Sequence, residues 1–245
     1  MIVSPHNEKL KLVRKLHERK HREREGLFVT EGEDLLEAGL AAGAEPRFVL
    51  VAAGSELDGE EVDPGLLGEV STLGSGTRAI AVWPQRWTDS AEPPCLYLHG
   101  LSDPGNVGTI VRTAHALVGG SVVLGPDCAD PYGPKAVRAS MGSIFGQPLL
   151  RGGVGATPRP RAALVAHGGD GIDGFAARTV CLGAEREGLP EDVLDACDLR
   201  LTIPLRPGTA ESLNVAAAAA IACERMASAG ERLSSPAMQE TGSDG

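Results

Sequence analysis

Aromatic side chains are scarce in this 245-residue chain, at 3% of positions. So sparse a supply excludes a broad stacking platform for single-stranded nucleic acid. Cysteines number five (Cys95, Cys128, Cys181, Cys197 and Cys223) and are far apart, with no C-x-x-C pair. That spacing excludes a disulfide frame or a zinc site and predicts free thiols in a reducing cytoplasm. No apolar run reaches the ~18–20 residues of a membrane helix. MIVSPHNEKLKLVRK has no apolar core after its charges, so no secretory leader is expected. No G-x-G-x-x-G follows the strand expected at 95–101, where a dinucleotide fingerprint would open a helix, and no G-x-x-x-x-G-K-[ST] occurs, which argues against a nicotinamide oxidoreductase and a P-loop enzyme. No metal-ligand spacing and no Ser/His/Asp constellation is legible.

The net charge is −10, an excess of acids that by itself argues against nucleic acid as a partner. The distribution reverses that inference locally. Residues 9–24, KLKLVRKLHERKHRER, hold eight Lys/Arg against two Glu. Screening confines each charge to within ~8–10 Å, so a local basic helix can bind phosphate whatever the total. Its Leu10, Val13 and Leu16 form one apolar stripe at helical spacing.

Two blocks of β/α alternation and a tail follow from the pattern. The first, 1–87, contains a strand–turn–helix over 28–43, strands over 47–54 and 78–84, and a short helix and loop over 65–76. A polar, Pro-rich linker is expected at 88–94. In the second block, 95–232, strands are expected over 95–101, 121–125, 161–167, 179–185 and 199–205. Helices are expected over 106–120, 134–142 and 211–228. This order predicts a parallel sheet covered on both faces. The polar end, 233–245, is expected to be a disordered tail.

Three loops at strand ends carry the candidate chemistry, because ligands of open α/β sheets bind beyond the carboxyl ends of strands. In LSDPGNVGTIVRTA (101–114), Asn106 can cap a helix, Gly108 permits close backbone approach, and Arg112 follows six residues on. In LGAEREGLP (182–190), Gly183 exposes main chain and Glu185 can accept hydrogen bonds. In TIPLRPGTAESLNVAAAAA (202–220), Ser212 and Asn214 stand at a helix start. Taken singly, each loop is equally readable as a helix cap or an ordinary turn.

Together and in order, DPGNVGTIVRTA, LGAEREGLP and IPLRPGTAESLNVAAAAAIACER resemble the three motifs of the SpoU (TrmH-like) family of RNA ribose 2′-O-methyltransferases. SPHNEKLKLVRKL and FVTEGEDLLEAGL are similar to the L30e-like RNA-binding domain that often precedes that catalytic domain. The resemblance implies a small L30e-like α/β domain followed by a SPOUT parallel-sheet domain with a deep trefoil knot. It implies S-adenosylmethionine as cofactor and no metal. Asn106, Arg112, Glu185, Ser212 and Asn214 match the family's catalytic positions. Leu182, Gly183, Ala184, Ile203, Leu205, Ser212 and Leu213 match its cofactor pocket. A homodimer and an RNA substrate are implied, with 23S ribosomal RNA favoured over transfer RNA, and a non-catalytic RNA-binding protein as the alternative from another class. Two departures stand out. Arg186 and Glu187 separate Glu185 from Gly188, and RGGVGATPRPR (151–161) is short where relatives carry a full helix.

Overall fold

The computed structural model describes residues 1–73 and 76–234. The first block contains α1 (Glu8–Leu16), α2 (Arg19–Glu25), β1 (Leu27–Glu31), α3 (Glu33–Ala41), β2 (Phe48–Ala52), β3 (Glu60–Val62), α4 (Pro64–Val70) and β4 (Ala79–Pro84). Its four strands are ordered β1-β4-β2-β3, with β4 antiparallel to both neighbours and β2 parallel to β3. Leu10, Val13 and Leu16 are fully buried against this sheet, together with Val29, Leu50 and Ile80. The 9–24 run is therefore not one projecting basic helix. It breaks into α1 and α2, and the apolar stripe of α1 is core.

The second block contains β5 (Cys95–Leu98), α5 (Pro104–Leu117), β6 (Val122–Leu124), α6 (Pro134–Ser140), β7 (Leu149–Arg151), β8 (Arg161–Leu164), β9 (Asp170–Gly171), β10 (Thr179–Leu182), α7 (Glu191–Asp195), β11 (Leu199–Thr202) and α8 (Val215–Ser234). Seven strands pair entirely in parallel, in the order β7-β6-β5-β10-β8-β11-β9. Successive strand residues face opposite sides. Leu96, Leu98, Val180 and Leu182 join the core under α5 and α8. Cys95, Tyr97 and Cys181 join a smaller cluster with Val193 of α7. Both faces are thus covered, as a parallel sheet requires.

Two boundaries differ from the sequence reading. The helix expected over 211–228 begins at Val215, leaving Glu211–Asn214 outside it, and runs to Ser234. Leu233 and Ser234 are therefore helical, and the rest of the expected tail lies outside the described residues. The short 151–161 stretch holds a single 3-10 turn, Val154–Ala156. The Arg161 guanidinium donates back to the carbonyls of Gly155 and Thr157, which anchors this turn without a helix.

The few aromatics are concentrated where the two blocks meet. Phe28 lies 4.8 Å from Tyr132, Trp83 lies 4.8 Å from Phe145, and Trp87 lies 5.2 Å from Tyr132, between ring centroids. One continuous apolar core runs through this seam. The 88–94 segment is fastened rather than free: the Thr88 N–H donates to Leu149 O, and Ser121 and Glu92 exchange two hydrogen bonds. Between the two blocks, Arg22 and Asp130 form an ion pair at 2.8 Å with both side chains about 5% exposed or less.

Candidate active site

Asp103 begins the site. Its carboxylate accepts from the Gly105 N–H at 2.7 Å and caps α5, with Pro104 in the first helical turn. Lys135 of α6 donates to the same oxygen at 2.8 Å. That hydrogen bond, with the one from Gly105, holds the Asp103 carboxyl below the usual carboxylate range. Asn106, expected to cap the helix, is therefore released from that duty. Its amide nitrogen donates to Glu185 Oε1 at 2.6 Å, and its carbonyl oxygen accepts from Asn214 Nδ2 at 3.2 Å. Asn214 does cap a helix: its Oδ1 accepts from the Ala216 N–H at 2.9 Å. One chain of side-chain amides thus joins the three strand-end loops.

Beside this chain opens a cavity of about 370 Å³. Leu182, Gly183, Ala184, Ile203, Leu205, Ser212 and Leu213 all line it. Glu185, Glu187 and Glu211 add three carboxylates against the one guanidinium of Arg186, and Ser212 adds a hydroxyl, to a wall that is mostly apolar side chains and main chain. The size falls within the ~300–1,000 Å³ of small-ligand sites. Apolar walls suit a purine ring, and carboxylates suit a ligand carrying an ammonium and a sulfonium. These residues therefore fit S-adenosylmethionine. A second opening, lined by Asp103, Asn106, Gly100 and Leu101, shares Ala184, Glu185 and Val215 with the first.

Two glycines do a different job from the one their motifs suggest. A Cβ on Gly108 would stand 2.2 Å from the Ala136 carbonyl oxygen, so its close approach is to α6 and not to a ligand. A Cβ on Gly183 would stand 2.2 Å from Gly188 C. Gly183 thus permits the 183–188 loop to fold on itself, where Ala184 and Gly188 exchange backbone hydrogen bonds.

Arg112 is not brought into the amide chain. It lies six residues beyond Asn106, about 9 Å along the α5 axis. Its side chain is exposed, lines neither opening, and makes no hydrogen bond among the described residues. Sequence reasoning missed Asp103 and Lys135. The Asp-Pro at the start of α5 is a capping signal, but Lys135 meets it only through tertiary packing.

Residues 93–153 and 167–224 match the SpoU rRNA Methylase family, and residues 7–82 match the MRM3-like substrate binding domain. The chain is 31% identical to the Bacillus subtilis 23S rRNA (guanosine(2553)-2′-O)-methyltransferase RlmP, covering 90% of this chain and 96% of that one. The SpoU methyltransferase AviRb from Streptomyces viridochromogenes, solved in complex with the cofactor AdoMet, superposes with a TM-score of 0.78. That match has 25% identity and covers 94% of this chain and 100% of that one. An AdoMet-bound rRNA methyltransferase from Sinorhizobium meliloti superposes at 0.79, with 25% identity over 96% and 98% of the two chains. With its three loops gathered at one cavity and a relative matched over nearly its whole length, this chain belongs to the SpoU rRNA methylase family.

Proposed function

We propose that the chain methylates a ribose 2′-hydroxyl of 23S ribosomal RNA, using S-adenosylmethionine. The observation that carries this reading is the Asn214–Asn106–Glu185 chain of hydrogen bonds, two amides ending on a carboxylate, at the mouth of a cavity lined by all seven expected cofactor residues. The bound cofactor supplies an electrophilic methyl on a sulfonium. Leu182, Ile203, Leu205 and Leu213, with the main chain of Gly183 and Ala184, would hold it in this cavity. Relatives named as 23S rRNA 2′-O-methyltransferases support the choice of RNA.

The residues of this chain then have two tasks. In-line transfer needs the 2′-oxygen placed against the methyl, and placement supplies much of the rate. Asn106, Asn214 and Glu185 hold the loops that set it. The hydroxyl must also lose its proton as attack proceeds. A guanidinium does not give up its proton in proteins. Arg112 instead binds the adjacent phosphate and stabilises the developing oxyanion. Ser212, in the cavity wall, or a water relays the proton to solvent. No metal takes part. The exposed position of Arg112 suits a group that is ordered by RNA.

The reading extends to the assembly. A homodimer is expected, with α8 partly available: Ala216, Ala219, Ala222 and Cys223 are buried in the protomer's own core, while Ala218 and Ile221 are only partly covered. The deep knot belongs to the same proposal, as does a cytoplasmic site of action. Among the described residues no helix is long and apolar enough to cross a membrane.

Calorimetry with S-adenosylmethionine tests the pocket. Mapping alkali-resistant positions in total RNA, with and without the gene, tests the reaction. Absence of any gene-dependent 2′-O-methyl position would overturn it.

A further inference from the structure

The carboxyl edge of the seven-stranded sheet carries a third opening, away from the cofactor cavity. It is a cleft of about 350 Å³ at the ends of β6 and β7, lined by Leu124, Gly125, Cys128, Asp130, Arg151 and, from the first block, Arg19. The cleft is continuous with the catalytic edge. Gly100 N–H donates to Pro126 O at 3.0 Å, and Ala129 N–H donates to Leu101 O at 2.8 Å. Gly100 and Leu101 line the opening at Asn106, so a chain leaving that opening along the edge meets the cleft next.

Two guanidiniums of the cleft share one carboxylate. Arg19 and Arg151 both engage Glu23, at 2.9 and 3.1 Å. Arg22 is held on buried Asp130. Among the ion-paired side chains, with Arg151 also 3.9 Å from Asp130, three guanidiniums stand against two carboxylates; the exposed Asp127 lies on the same loop, within a protein whose net charge is −10. Arg151 is also pre-positioned, its guanidinium carbon 4.4 Å from the centre of the Trp87 ring. Arg19 donates to the Cys128 carbonyl at 3.4 Å. Both head groups stay about half exposed, so an anion can reach them.

We propose that this cleft binds a backbone phosphate of the substrate RNA, on a nucleotide flanking the methylated ribose, between Arg19 and Arg151. This rests on the RNA-methyltransferase reading above. Glu23 is the internal competitor: it occupies the two guanidiniums in the free protein and yields them in part to the phosphate. The basic run of 9–24 thereby acquires a specific role. Among its described cations, seven of eight already pair with acids, and Arg19 is the one that also lines the cleft.

The test uses the full chain and 23S ribosomal RNA purified from cells lacking the gene. Each lost phosphate contact lowers the slope of log affinity against log salt by about 0.7–0.9. Arg19→Gln and Arg151→Gln should each show that loss, and KM for RNA should rise on the order of tenfold, about 1.4 kcal/mol. Affinity for S-adenosylmethionine and kcat should stay within about twofold. Arg151→Lys should restore the slope, which separates charge from packing on Trp87. Glu23→Gln should act in the opposite direction and tighten RNA binding. Lys20→Gln, whose partner is Glu18 outside the cleft, should change nothing. Unchanged slopes in both Arg→Gln variants overturn the proposal, as does looser binding in a folded Glu23→Gln protein. Inorganic phosphate binding in the cleft with unaltered RNA slopes overturns it too, because the site would then serve a small anion. These slopes are read without turnover. A wild-type protein that binds this RNA but never methylates it therefore defeats the enzymatic reading alone.

Discussion

Asn106 and Glu185, 79 positions apart in sequence, meet in a 2.6 Å hydrogen bond from amide to carboxylate. The bond ties the start of α5 to the loop after β10, and Asn214 extends it to the start of α8. Replacing Asn106→Asp would set a second carboxylate against Glu185 and turn attraction into repulsion. Methyl transfer should fall by about 100-fold or more, the scale of losing one preorganised group. The site is at the surface, so stability should change by less than about 0.5–1 kcal/mol. Single-turnover transfer from labelled cofactor, beside a urea denaturation curve, checks both.

Arg112 stands apart from that chain, and the consequence is a division of labour. Arg112→Ala should leave S-adenosylmethionine affinity nearly intact while methyl transfer drops by roughly 100-fold or more. Arg112→Lys keeps the charge but loses the planar fork, so rescue should be partial. Calorimetry and single-turnover kinetics on the same preparations decide it. A loss of cofactor binding in Arg112→Ala equal to the loss of turnover would mean that Arg112 supports the pocket.

Gly183 gives the converse case, with a reason that lies in the loop. The first atom of any side chain there meets the Gly188 backbone at 2.2 Å, well inside van der Waals contact. Gly183→Ala should therefore open the 183–188 loop and abolish detectable cofactor binding, at a cost of about 1–3 kcal/mol from overpacking. Wild-type affinity in Gly183→Ala would show that the loop relaxes freely.

How much of this was legible beforehand depends on the range of the interactions. The strands at β1, β2, β4, β5, β6, β8, β10 and β11 were readable because buried strands are continuous apolar runs bounded by Gly and Pro. β9 is two residues long and β3 is Glu-Glu-Val, so neither carries a pattern to read. The seven positions expected from the resemblance of motifs all line one cavity. The cap at Asp103 was within reach, since Asp-Pro is a local signal. Lys135 on Asp103, Arg22 on Asp130 and Arg19 beside Arg151 were not, because each joins segments that only tertiary packing brings together. The basic run shows the same limit: composition counted its charges, but not the acids that come to meet them.

Arg22 and Asp130 bridge the two blocks from within the core. Removing one member of a buried pair leaves the other charge poorly paired, Asp130 keeping only Arg151 at 3.9 Å, at a cost of about 3–5 kcal/mol. Arg22→Ala and Asp130→Ala should each destabilise the protein by that amount. The Arg22 guanidinium also donates to the carbonyls of Leu16 and His17, so its loss frees the end of α1 as well. Replacing both partners with apolar residues of matching size should recover most of the stability. Denaturant unfolding of the two single variants and the double variant measures this directly. An additive double variant would show that the two side chains do not act as a pair.

Glu31 supplies the pH dependence. The residue is 6% exposed at the end of β1. Burial pushes its carboxyl up, but hydrogen bonds from Ser71, Thr72 and the Thr72 and Leu73 N–H groups outweigh this and hold it below the usual range. Thr72 in turn accepts from Arg138 of α6 at 3.0 Å, so the loop held by Glu31 reaches the catalytic block. A carboxyl whose folded pKa is depressed stabilises the fold above its unfolded pKa, about 4.3. That stability is lost as pH falls through the lower, folded value. Glu31→Gln removes the charge that these donors face and should cost about 1–3 kcal/mol at pH 7. The difference between wild type and Glu31→Gln should then shrink as pH falls below about 4.3, because the wild-type carboxyl becomes neutral as well. Denaturation curves at pH 7, 5 and 3.5 test the sign. A gap between the two proteins that stays constant across that range would mean that the carboxylate charge is not what holds the 71–73 segment.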